Sequence, residues 1–347
     1  MTTTVVGDAA DTALVERPSV GGSRRGTLIG LGVGVAVLAI GLALPYLVSD
    51  TATMNMAVEA GLLGLLALGI GFLGRYLGLI SLGHTAFFGS AAYSVGIAIN
   101  RWEWPPMQAF AFGVVIGTLF AVLMGVLVVR STGMGFLMLT LALSQALYAL
   151  CLQTSFRPLT GAHDGLLISA DQSSRFLGLS PADAQNPGLF WPLVWGALIT
   201  VAVGFWVLGR SRFGTVLEGI RENEERMRFS GYNTFRPRLI AFVLSGLAAA
   251  IGGALFAINA GYISPDILGF GRAGDSLIAA LVGGLSTLAG PLIGTALFVW
   301  AQSALNVGGN LHLYTGVALI VVLVFLPGGI TGALVRGWHR LTRRGRR

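Results

Sequence analysis

Apolar runs of about 20 residues recur along the chain, separated by short polar or Gly/Pro-rich junctions, and that is the length an α-helix needs to cross a bilayer. The runs predict ten membrane segments, at roughly 27–48, 54–74, 79–99, 107–129, 133–153, 189–209, 238–259, 273–288, 290–306 and 312–327. Breakers mark several junctions: Pro105-Pro106, Pro187 and Pro192, Pro237, Pro265, Gly290-Pro291 and Pro327. The expected fold class is all-α, a polytopic membrane protein of about ten transmembrane helices spread over 27–330. Residues 1–26 hold scattered charge and no apolar run, and read as a disordered cytosolic tail rather than a cleavable signal. Residues 331–347 read as a basic cytosolic tail that contacts anionic lipid.

Composition agrees with the pattern. The 347 residues are 54% hydrophobic and 11% charged, with a mean hydropathy of +0.77. Soluble domains carry about 25% charged residues, and no polar segment here is long enough to build a globular core. Arginine placement orients the segments. With a cytosolic N-terminus and ten spans, 18 arginines fall inside and four, Arg101, Arg157, Arg175 and Arg272, fall outside. That asymmetry follows the positive-inside rule. It puts both termini in the cytosol. Trp102, Trp104 and Trp191 fall near the outer ends of spans, as interfacial aromatics do.

An even count also means that the first five segments run opposite to the last five. Parity therefore allows an inverted 5+5 repeat with Gly-interrupted helices. The stretches 74–89 (GRYLGLISLGHTAFFG) and 283–294 (GGLSTLAGPLIG) occupy corresponding places, as broken helices do in many transporters. Glycines that only let helices pack closely give the same pattern.

Several chemistries are excluded. All 22 basic residues are arginine, so there is no P-loop lysine and no Schiff-base lysine. The single cysteine, Cys151, cannot form an internal disulfide and reads as a small buried apolar residue. His84, His163, His312 and His339 are scattered, and no HExxH or serine triad is present. No metal site, catalytic residue or nucleic-acid partner is expected. Inside the spans, Glu59, His84 and Asp275 are the ionisable candidates, and such groups usually face a cavity or a partner. As a relay they would make the chain a stand-alone proton- or sodium-coupled carrier. Ser81, His84, Thr140, Gln145 and Asn259 are candidates for lining a solute path, or for hydrogen bonding between helices.

The outer stretch 154–188 is too short for an enzyme domain and suits an amphipathic cap or part of a surface that meets an external partner. The most distinctive polar stretch is 210–237, on the cytosolic side. Phe213, Val216, Leu217, Ile220 and Met227 recur at helical spacing and form one apolar stripe. Thr215 with Glu218 fits a capping box, Glu222–Arg226 and Glu224–Arg228 fit i,i+4 pairs, and Gly231 fits a C-cap. Pro237 suits the first turn of the next span. The stretch therefore reads as an amphipathic helix, a turn and a re-entry. Such a helix either orients the spans or offers a docking surface.

The order of its residues resembles the cytosolic coupling segment of ABC importer permeases, specifically the M-type permease of branched-chain amino acid importers. Phe213-Gly214, Ile220-Arg221-Glu222-Asn223-Glu224 and Gly231-Tyr232-Asn233 carry the likeness, and Met227-Arg228-Phe229-Ser230 departs from the small apolar residues usual there. Blocks at 78–93, 159–166, 245–257, 262–266, 281–297 and 324–330 resemble the same family in order, over roughly 55–330. The resemblance implies an importer in the bacterial cytoplasmic membrane. It implies a second related permease, two ATP-binding cassette subunits and an external solute-binding protein as partners. It implies a small solute, most simply a branched-chain or related amino acid, and no cofactor on this chain, since ATP and Mg²⁺ would sit on the ATPases. It makes Phe213, Gly214, Glu218, Ile220, Arg221, Glu222, Asn223 and Glu224 the ATPase-coupling residues.

Overall fold

The computed structural model describes residues 37–39, 41–48, 50–169, 171, 173–305 and 329–332. The 1–26 tail, the 312–327 segment and most of the 331–347 tail lie outside the described residues, as do His312 and His339. Residues 37–39 and 41–47 are helical and fall within the first expected span. From there the main elements are α1 (Thr51–Leu77), α2 (His84–Trp102), α3 (Pro106–Val128), α4 (Gly133–Leu152), α5 (Pro181–Gln185) and α6 (Pro187–Arg210). They continue as α7 (Arg212–Glu222), α8 (Glu224–Phe229), α9 (Phe235–Ala260), α10 (Phe270–Gly283) and α11 (Gly290–Leu305). Five of them, α1, α3, α4, α6 and α9, are long and apolar enough to cross a membrane.

Burial divides these five. The apolar windows of α1 and α9 are 78% and 61% buried, against 33%, 22% and 17% for α3, α4 and α6. α1 packs on α9, α6 and α11, while α9 packs on α2 and α3. The close approach of α9 depends on missing side chains: a Cβ on Gly253 would stand 1.9 Å from the Phe88 carbonyl oxygen, and one on Gly117 2.7 Å from Ala250 Cβ. The outer helices turn apolar faces away from the protein. Val115, Leu119, Val122, Leu123, Val126 and Leu127 of α3 are all exposed. On a water-soluble monomer that patch would be a liability, and against lipid tails it is the expected surface.

α1 begins with Asp50 as N-cap, its carboxylate accepting from the Thr53 amide at 3.0 Å. It ends at Gly78, whose φ of 66° is the left-handed C-cap conformation that favours glycine. Residues 78–83 are non-helical, so the expected 79–99 segment becomes a helix only at His84. In the same way α10 stops at Gly283, short of the expected 288, because 284–289 forms a turn. Both Gly-rich stretches therefore interrupt helices. α10 and α11 form an antiparallel hairpin, with Gly294 against the Ala279 carbonyl and Gly283 against that of Gly290.

At the other end of α2, residues 154–188 fold into a cap. Leu166–Leu167 pair antiparallel with Tyr262–Ile263, in the register Leu166↔Ile263 and Leu167↔Tyr262. Asn100 brackets this strand, donating to the Leu167 carbonyl at 2.6 Å and accepting from the Ser169 amide at 3.0 Å. Ser180 and Asp183 form a capping box at α5. Trp102 and Trp104 cluster with Phe112 and are partly exposed, as interfacial aromatics should be. Trp191 corrects the expectation. It is buried, stacks on Trp195 and donates to the Gly41 carbonyl at 2.6 Å, so it is a packing residue. Cys151 is buried and free, in line with its reading as a small apolar residue.

Candidate functional site

The 210–237 stretch is an elbow of two helices rather than one. α7 (Arg212–Glu222) has Ser211 as N-cap, and Thr215 lies inside the helix, its hydroxyl on the Ser211 carbonyl at 3.4 Å. The expected Thr215–Glu218 capping box is therefore absent. Asn223 breaks the helix because its side chain accepts from the Arg226 amide at 2.9 Å, making it the N-cap of α8. That break takes Glu222 and Arg226 out of one helical face, and their expected ion pair does not occur among the described residues. Gly231, at φ 84°, ends α8. Its amide goes to the Arg228 carbonyl and that of Tyr232 to Met227, a Schellman arrangement that bears out the expected C-cap.

The apolar stripe faces inward as expected. Gly214, Leu217 and Ile220 are buried, while Phe213, Val216 and Met227 pack against the core. Glu218, Arg221, Glu222 and Asn223 are exposed. Phe229 stands 93% exposed at the tip of α8, an unusual position for a large aromatic.

Glu224 anchors the elbow. Its carboxylate takes Arg228 at 2.6 Å, Thr234 at 2.9 Å and Arg238 at 2.7 Å. Arg238 is buried in the first turn of α9 and donates also to the Ser131 carbonyl at 2.7 Å, which ties the elbow to the α3–α4 turn. Burial pushes the Glu224 carboxyl up, but the Thr234 hydrogen bond, the Arg238 charge and the hydrogen bonds from Arg228 and Arg238 outweigh it. The net value lies below the usual carboxylate range. A cleft of about 480 Å³ opens beside this group, between Arg130, Tyr232, Asn233 and Phe235. Sequence reasoning found the Glu224–Arg228 pair and missed Thr234 and Arg238. An arginine as the first residue of the expected 238–259 segment was the available signal for Arg238.

The polar residues of the spans divide into two groups. Ser81, His84 and Thr140 gather at the 78–83 break with Thr85, Ser144 and Ser245, and all six are buried. His84 Nε2 lies 3.1 Å from Ser245 Oγ, Thr85 Oγ1 lies 3.0 Å from Ser144 Oγ, and the Leu82 amide donates to Thr140 Oγ1 at 3.3 Å. Ser245 donates its one hydroxyl proton to the Phe242 carbonyl at 2.7 Å. That arrangement suits His84 donating through Nε2, and Nδ1 is buried without a hydrogen-bond partner among the described residues. Gln145 and Asn259 are elsewhere: Asn259 donates to the Ala184 carbonyl at 2.9 Å under the outer cap. Gln145 reaches the Leu268 carbonyl at 3.5 Å. Of the relay candidates, Glu59 pairs with Arg272 at 3.2 Å at the start of α10, and Asp275 lies in the second turn of α10. Among the described residues no cluster of His, Cys, Asp or Glu can hold a metal.

An apolar helical bundle with outward hydrophobic faces, an amphipathic elbow and a folded cap is the architecture of a multi-pass membrane protein. Residues 52–326 match the family model described as the permease component of the branched-chain amino acid transport system. The chain belongs to that family. It is 24% identical over 318 residues to the high-affinity branched-chain amino acid transport system permease protein LivM of Escherichia coli (strain K12), covering 85% of this chain and 73% of that protein. The LivM of Salmonella typhimurium is likewise 24% identical over 327 residues, covering 85% of this chain and 73% of that one. The autoinducer 2 import system permease protein LsrC of Klebsiella pneumoniae is 30% identical over 318 residues, covering 88% and 86%. No solved structure matches the chain.

Proposed function

We propose that this chain is the membrane-spanning subunit of an ABC importer, and that α7–α8 is the segment through which ATP hydrolysis on partner subunits is coupled to solute movement. The elbow carries this reading. Its apolar stripe is seated on the ends of α1, α6 and α9, and Glu218, Glu222 and Asn223 are exposed. Glu218, Arg221, Glu222 and Asn223 make the contact, Phe213, Gly214 and Ile220 seat the helix, and Glu224 locks the elbow to α9. The chain itself binds no ATP or Mg²⁺ and catalyses no reaction. Its partners are a second related permease, two ATP-binding cassette subunits and an external solute-binding protein.

In this reading the chain crosses the bacterial cytoplasmic membrane ten times with both termini in the cytosol, 210–237 inside and 154–188 outside. The two Gly-interrupted turns mark an inverted repeat. The solute is small and polar or amphipathic. A branched-chain amino acid fits the family and the LivM relatives, while the LsrC relative makes autoinducer 2 the competing cargo. Ser81, His84 and Thr140 line its path near the 78–83 break, with Gln145 and Asn259 toward the outer side. Impermeant thiol labelling tests the placement. In a C151A background, E225C should react in inside-out vesicles and stay unlabelled in intact cells. Labelling from outside the cell would overturn the reading.

A further inference from the structure

We propose that Arg75 is a positioning residue that links α7 to the turn between α10 and α11, so that displacement of α7 is carried to that turn. The inference rests on the reading of α7–α8 as the coupling segment. Arg221 of α7 donates through Nη1 to the carbonyl of Arg75, in the last turn of α1. Its stem lies over Gly78, where an added Cβ would come within 3.4 Å of Arg221 Cγ. Arg75 in turn donates through its own Nη1 to the carbonyl of Ser286, inside the 284–289 turn. One residue thus accepts from the elbow with its backbone and grips the turn with its side chain.

Each link has a physical reason. The Arg75 carbonyl is one of the last four of α1, which have no partner within the helix, and two guanidinium groups at this end complement the helix dipole. The Ser286 carbonyl sits in an irregular segment where no ladder supplies a donor. Arg75 has no carboxylate partner among the described ion pairs, and its Nε is buried without a hydrogen bond. The guanidinium also lies over the Tyr76 ring, 5.5 Å from its centroid, and the Ser286 bond is its hydrogen bond to the turn. Packing brings the turn within reach. A Cβ on Gly74 would stand 2.8 Å from Leu285 Cδ1, and one on Gly71 2.4 Å from Pro291 Cγ. Ser286 and Ala289 are exposed, so the turn has room to follow a pull.

The test uses the assembled importer, with partner permease, ATPases and binding protein, in lipid. Solute-stimulated ATP hydrolysis is measured for wild type, R221Q, R75Q, R75K and L285A. Distances between spin labels on T215C and A289C, in a C151A background, are measured with and without trapped nucleotide. We expect R75Q to lose about ten-fold of the stimulation with basal hydrolysis kept, the size of one lost charge-assisted hydrogen bond. R75K should recover part of it, because one donor and the charge remain but the planar fork is lost. L285A, which trims packing and spares the bond, should couple normally. The label distance should hold across nucleotide states in wild type and shift in R75Q and, less, in R75K. Stimulation lost in R221Q but intact in R75Q and R75K, with an unchanged label distance, overturns the link and leaves the coupling reading standing. Absence of solute-stimulated hydrolysis in wild type overturns both. If R75Q does not assemble, R75M, which keeps the stem and has no donor, takes its place: lost stimulation with a shifted label distance supports the link, and a coupled R75M with an unmoved distance overturns it.

Discussion

The two Gly-interrupted turns meet α1 at the same end yet are held in opposite ways. In 78–83 the last three residues, Ser81, Leu82 and Gly83, are buried, and the Leu82 and Gly83 amides are satisfied by the hydroxyls of Thr140 and Ser81. In 284–289 Ser286 and Ala289 are exposed while Leu285 and Leu288 pack against the core, and the backbone is tethered by Arg75 on the Ser286 carbonyl and, just before the turn, by Thr331 on the Gly283 carbonyl at 2.6 Å. A buried network with its backbone donors paired is rigid and costly to disturb, whereas an exposed turn with few tethers belongs to the low-stability end of a fold. Similar Gly-rich sequence thus yields a locked turn in one place and a tethered one in the other. A transporter that must move one part against another needs both.

The sharpest way to break this comparison is to remove one hydroxyl that holds the 78–83 turn and one that lies within 284–289. T140V leaves the Leu82 amide buried and unpaired, and should cost about 2 kcal/mol in thermal or denaturant unfolding. S286A removes a hydroxyl that makes no described bond, and should stay within about 0.5 kcal/mol. Equal effects would erase the distinction. Next in size, E222Q should lower solute-stimulated ATP hydrolysis about ten-fold while the melting temperature stays at the wild-type value. A drop in both together would mean that the elbow is only structural.

Acid titration sharpens the contrast between the elbow and the buried break. Glu224 is held below the ordinary carboxylate range in the folded state, so its contribution is fully present above about pH 4.3 and disappears as the pH falls through the lower folded value. Melting temperature measured from about pH 6 down to pH 3 should fall for wild type and fall less steeply for E224Q. An identical slope would remove Glu224 from the account. The smallest effect belongs to Glu59 and Arg272, whose side chains are 48% and 20% exposed. E59Q should change stability by no more than about 0.5 kcal/mol, and less in high salt.

Hydropathy made the long helices legible, because length and apolarity are local properties. α1, α3, α4, α6 and α9 lie within a few residues of their expected segments. The apolar stripe of α7 and the glycine cap at Gly231 were legible for the same reason. What stayed hidden depends on distant partners. Whether Asn223 continues a helix or caps a new one is decided by its competition for the Arg226 amide. The role of Arg238 is decided by Glu224, 14 residues earlier, and by Ser131 on another helix. Trp191 looked interfacial because it sits near a helix start, and it is buried because Gly41 and Trp195 cover it. The cluster at the 78–83 break draws hydroxyls from three helices and a turn, and sequence reading supplied Ser81, His84 and Thr140 but not Thr85, Ser144 or Ser245.

Solute uptake into proteoliposomes tests the central claim most directly. The chain and its partner permease are reconstituted with the binding protein and solute outside the vesicles, with and without the ATPase subunits and ATP enclosed within. Accumulation against a gradient only when ATPase and ATP are both present, and its loss in R221Q, is the predicted result. Uphill uptake with the ATPases left out, driven by a proton or sodium gradient alone, would contradict it.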